Sequence, residues 1–168
     1  MRALSLAVVG VVVALLLAGC GGGTTAPGSG PRLTRAEMVT RAEAACAKGF
    51  AASEALRQAA DPTAHGAAAA TEIDATLGVL VDQVRGLARL RGPVDTDVTL
   101  ARTLRALRSA AAGVRRLRGA VVRGDLTVNE AIRAEPALVR RINAASGSAQ
   151  DGLVRLGFLG CVAASGDG

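Results

Sequence analysis

The stretch DVTLARTLRALRSAAAGVRRLRGAVVR, residues 97–123, decides the fold. Leu100, Leu104, Leu107, Ala111, Val114 and Val121 recur at steps of four, three, four, three and seven. That is the period of one helical face, not the alternation of a strand. Thr96 and Asp97 are residue types that cap a helix start. A helix with a single apolar stripe must bury it against others, which the neighbouring segments have to supply with the same period.

They carry it. Before it, Ile73, Leu77, Leu80, Val84 and Leu87 mark a second helix over about residues 67–90, ended by Arg91-Gly92-Pro93. Further back, Thr34 and Glu37 fit a capping box. The helix they open runs to about Ala60, where Asp61-Pro62-Thr63 stops it. Its inner stripes are Met38, Ala45, Ala52 and Leu56, and beside them Val39, Cys46 and Phe50. After residue 123, Val128, Ile132, Val139, Ile142, Ala149, Leu153 and Leu156 predict a last helix over about residues 127–159. Pro136 either kinks it or opens a helix after a separate short turn. The expectation is an all-α domain over residues 33–162, an up-down four-helix bundle with helices roughly 36–45 Å long.

The N-terminus reads differently. Met1-Arg2 precedes an uncharged run from Ala3 to Ala18, shorter than the roughly 20 residues of a membrane-spanning helix. A positive start, a short apolar run and small residues at its end describe a secretory signal peptide, residues 1–19. Leu17-Ala18-Gly19-Cys20 resembles the bacterial lipobox. That resemblance implies a diacylglyceryl thioether on Cys20 and cleavage before it. The alternative is a plain signal or uncleaved anchor with an incidental cysteine. GGGTTAPGSGPR, residues 21–32, has the composition of a flexible linker, and residues 163–168 read as a disordered tail. Two acyl chains hold a protein stably at a membrane where one does so only marginally. The localisation expected is the extracytoplasmic face of the cell membrane.

Removing residues 1–19 takes away one charge, Arg2, so a net +6 becomes +5. Lys48 is the one lysine among the 20 basic residues. Arginine bias with abundant Ala, Gly and Val is the composition of a high-GC genome. Phe50 and Phe158 are the whole aromatic complement. Single-strand nucleic-acid binders stack bases on aromatic side chains, so nucleic acid is excluded as a partner, as export also argues. Cys46 and Cys161 remain once Cys20 is assigned. An even count in an exported domain points to a disulfide, with two buried thiols as the alternative.

The segment LTRAEMVTRAEAACAKG, residues 33–49, with Gly124-Asp125 and Gly160-Cys161, resembles a group of small, uncharacterised actinobacterial lipoproteins. The resemblance implies a helical lipoprotein with a disulfide from first to last helix, and it brings no catalytic residues.

The remaining polar residues offer no catalytic set, metal site or cofactor site. His65, the sole histidine, sits in a Pro-Thr-Ala-His-Gly turn; a solvated turn residue is one reading and an axial haem ligand the other. Glu72 and Asp74 diverge on a helix, and Asp95 and Asp97 read as helix-start charges. The most uneven charge lies on the third helix. Arg102, Arg105, Arg108, Arg115 and Arg116 are candidates to contact anionic lipid or an acidic protein, or else form an ordinary solvated face. Arg118 falls on the apolar seam and needs a partner. The function expected is a non-enzymatic interaction or envelope module. The alternative is a carrier of an apolar small molecule, lipid or haem, in the bundle core.

Overall fold

The structure, a computed structural model, describes residues 31–162. The expected signal peptide, Cys20, the linker up to residue 30 and the tail 163–168 lie outside the described residues. All regular structure in them is helical: α1 (Arg35–Ala59), α2 (Gly66–Ala88), α3 (Asp97–Gly124), α4 (Val128–Ala134) and α5 (Pro136–Leu156). Short 3-10 turns occupy Val94–Thr96 and Leu159–Cys161. No helix among the described residues is long and apolar enough to cross a membrane.

The starts and stops follow local chemistry. Thr34 and Glu37 form the expected capping box: the Glu37 amide donates to Thr34 Oγ1, and the Thr34 amide donates to Glu37 Oε2 at 2.8 Å. Thr127 and Glu130 make a second box at the start of α4. The last helical stretch is two helices. Pro136 has no amide hydrogen and disfavours helical geometry at Glu135, which takes φ −118° and ψ 53°, so α4 ends and α5 begins with Pro136 in its first turn. α5 stops at Leu156 rather than Leu159 because Gly157 turns left-handed, at φ 82°. The break keeps the inward phase, since the buried positions on its two sides are seven residues apart. Ala131 and Leu138 are buried, whereas Ile132, read as inward, is exposed.

α1 also departs from its expected seam. Met38, Ala42, Cys46 and Gly49 are the buried positions, Ala52 is exposed and Leu56 half-buried. The small residues win because α1 lies close to α2: a Cβ at Gly49 would overlap the Gln83 side chain.

α3 is the central element, packing most extensively on α5 and next on α2, while α1 packs on α2 and on the Leu159–Cys161 turn. The α3–α5 approach depends on two glycines. A Cβ at Gly113 would overlap Ile142, and one at Gly152 would overlap Thr103. Cys46 and Cys161 form a disulfide across 115 residues, with Cα atoms 5.1 Å apart.

Two apolar clusters fill the interior. One surrounds the cystine and contains Met38, Leu87, Leu100, Leu104, Leu153 and the fully buried Phe158. The other contains Ile73, Leu77, Leu117, Val121, Ala131 and Leu138. The first is called the cystine end below and the second the α4 end.

Candidate functional site

The chain joins the helices at the cystine end. The Leu33 amide donates to Arg91 O at 2.7 Å, and Arg32 Nη1 donates to Gly92 O at 2.7 Å. Arg32 also grips both oxygens of Asp97, at 3.0 and 2.7 Å, and holds that carboxyl below the usual carboxylate range. Arg35 pairs with Asp95. Asp95 and Asp97 therefore fasten the start of α1 to the start of α3, a use their sequence context did not show. Thr96 makes no side-chain cap; its hydroxyl donates to Pro93 O at 2.7 Å. Arg32, read as the last linker residue, is tied to the helical domain.

Arg118 finds the partner it needs. Its Nε lies 2.8 Å from both Asp74 oxygens, joining α3 to α2. Glu72 points elsewhere, accepting from the Asp61 amide at 2.8 Å. His65 is exposed yet tied: its Nδ1 lies 3.2 Å from Asp125 O, and the Gly66 amide donates to Leu126 O at 3.1 Å. These two bonds join the α1–α2 loop to the α3–α4 loop. No cluster of three or more His, Cys, Asp or Glu among the described residues could hold a metal.

Arg102, Arg105, Arg108, Arg115 and Arg116 are all exposed. None of the five has an acidic partner among the described residues. They share one broad side of α3 but border different neighbours. Arg108 and Arg115, seven residues apart and so on one helical side, border a cleft of about 320 Å³ between α3 and α2, with Arg85 opposite. Arg102 borders a different hollow, with Asp151 and Arg155 of α5. Arg105 and Arg116, eleven residues apart, share the outward side. Arg85, which α2 supplies to the first cleft, is outside the sequence reading because the period of α2 marks its apolar stripe and not its neighbours on α3.

A second concave feature lies at the α4 end. Leu56 and Ala60 of α1, Ile73 of α2, Val114 and Leu117 of α3 and Val128 of α4 line a groove of about 540 Å³. It forms where the Ala-rich C-terminal half of α1 (AASEALRQA, residues 51–59) carries no fully buried residue.

No protein-family model, curated protein or solved structure matches the chain.

Proposed function

We propose that this protein is a lipid-anchored, extracytoplasmic, non-enzymatic module that docks on an anionic surface, anionic lipid above all. In this reading the helices form an up-and-down four-helix bundle whose last leg is α4 and α5 together. Cys20 is the anchor, on the lipobox resemblance of Leu17–Cys20, and the exported disulfide fits that compartment. The observation that carries the docking reading is the contrast among arginines. Among the described residues Arg32, Arg35, Arg57, Arg85 and Arg118 each pair with a carboxylate, whereas Arg102, Arg105, Arg108, Arg115 and Arg116 stand exposed without one on a single helix, α3, whose one acidic residue, Asp97, is already taken by Arg32. Such guanidiniums are each worth about 1 kcal/mol beside an anionic leaflet.

The test is co-sedimentation of the mature chain carrying Cys20→Ser with vesicles. Binding is expected to rise with anionic lipid and to weaken with salt. Undiminished binding by a variant with Arg105, Arg108 and Arg115 all changed to Gln overturns the docking reading.

The second reading is a binder of an apolar small molecule. The α4-end groove favours it, since its volume lies in the roughly 300–1,000 Å³ range of ligand sites. Native mass spectrometry of protein from its own host is expected to show a co-purifying lipid on this reading; bare protein removes it.

A further inference from the structure

We infer that the α2–α3 cleft is a discrete site for one phospholipid headgroup, so that docking is saturable and not a diffuse attraction. This rests on the anionic-lipid reading above and names the ligand and residues of that surface.

The cleft is amphiphilic. Val81, Val84, Ala88 and Ala111 supply aliphatic walls, and Arg85, Arg108 and Arg115 supply the charge. Arg85 is paired with Asp82, whereas Arg108 and Arg115 have no acidic partner among the described residues. Two unpaired guanidiniums over apolar walls suit a phosphodiester joined to a glycerol ester. The phosphate oxygens accept paired N–H bonds from arginine, and the adjoining esters and first methylenes meet the walls.

Position selects the lipid as well. The incoming chain is pinned at Arg91 and Gly92, in the α2–α3 loop. Arg85 precedes Arg91 by six residues, less than two helical turns. An anchor at Cys20 therefore holds the α2–α3 loop toward the leaflet, with the α2 wall of the cleft close to that loop and Arg108 and Arg115 along the middle of α3. Arg105 and Arg116 provide an internal comparison, because they carry the same charge on the outward side of the same helix.

The experiment compares two double variants of the mature chain carrying Cys20→Ser, with circular dichroism showing that each keeps its helix content. Vesicles of phosphatidylglycerol in phosphatidylcholine are titrated with Arg108→Gln/Arg115→Gln and with Arg105→Gln/Arg116→Gln. The cleft site predicts a loss of about 30-fold in apparent affinity for the first pair. It predicts a several-fold smaller loss for the second. Soluble short-chain phosphatidylglycerol is expected to shift the methyl resonances of Val84, Ala88 and Ala111 saturably. Equal losses for the two pairs overturn the cleft while leaving the docking reading intact, whereas wild-type protein that ignores anionic vesicles overturns the docking reading itself. Inorganic phosphate that displaces the protein from vesicles at low concentration overturns the lipid as ligand and makes the cleft a free-anion site.

Discussion

The cystine end and the α4 end are built from the same helices yet held by different means. At the cystine end a covalent bond joins Cys46 to Cys161, Phe158 is fully buried, and Arg32–Asp97 and Arg35–Asp95 fix the chain against the start of α3. At the α4 end, α1 contributes no fully buried side chain, α4 is seven residues long, and two hydrogen bonds from His65 and Gly66 join the loops. The covalent tie lies where the chain enters the domain, and the larger apolar groove lies at the other end, where the ties are the Arg118–Asp74 pair and the two loop hydrogen bonds.

Removing the cystine is the strongest way to break this contrast. Cys46→Ala/Cys161→Ala, or reduction, frees a 115-residue loop in the unfolded chain, and urea denaturation is expected to show a loss of about 4.7 kcal/mol on the chain-entropy account. A loss below about 1 kcal/mol would mean that the apolar cluster around Phe158 carries that end by itself.

Truncating one large side chain at each end sharpens the comparison. Phe158→Ala is expected to cost about 3–5 kcal/mol, because the cavity it leaves is fully enclosed. Leu117→Ala, at the wall of the groove, belongs near 2 kcal/mol, since part of the space it vacates adjoins solvent. Equal costs in denaturant titrations would erase the distinction between the two ends.

The smallest effect separates the capping boxes. Thr127→Ala is expected to cost about 1 kcal/mol and to abolish hydrogen-exchange protection through the short α4. Thr34→Ala costs a similar amount and leaves most of α1 protected, because Arg35 and the cystine still hold it. Both boxes depend on ionised glutamates. The Thr34 amide and hydroxyl hold Glu37 below the usual carboxylate range, and those of Thr127 do the same for Glu130. A depressed carboxyl contributes stability above its unfolded value and loses it as the pH falls through its folded value. The difference between each wild-type box and its alanine variant is therefore expected to shrink below about pH 4. A difference as large at pH 2 as at pH 7 refutes the glutamate's part in the boxes, since the bond from the glutamate amide to the threonine hydroxyl remains at either pH.

The sequence carried what periodicity and local chemistry can carry. Leu, Ile and Val at steps of three and four located α2 and α3 within two residues, and the Thr34–Glu37 box placed the start of α1. Residues 33–162 contain two cysteines and so allow one pairing, which the structure forms. What escaped depends on closeness between distant residues. Ala42, Gly49 and Ala131 are buried because small side chains admit a neighbouring helix, and an apolar pattern weighted toward large residues passes over them. Ile132 lies on the stripe beside the buried one, and a pattern weighted toward large residues selects it over the buried Ala131. The Arg32–Asp97 pair spans 65 residues, so nothing in either local context announces it. The arginine surface was legible as a composition of α3, but its division between a cleft, an outward side and the α5 border required the packing of α2 and α5.

The cystine also sets how the domain answers a pull between its two ends. Tension applied at Pro31 and Val162 runs through residues 31–46, crosses the sulfur bridge and leaves through Val162, so the 115-residue loop between the cysteines is bypassed. Even with α1 unravelled to Cys46, the stretched path is at most about 63 Å long, the 5.1 Å between the two cysteine Cα atoms included. Every residue lining the cleft and the groove lies within that loop, so a pull that has stripped residues 31–45 from Arg91, Gly92 and Asp97 leaves the covalent frame of both unloaded.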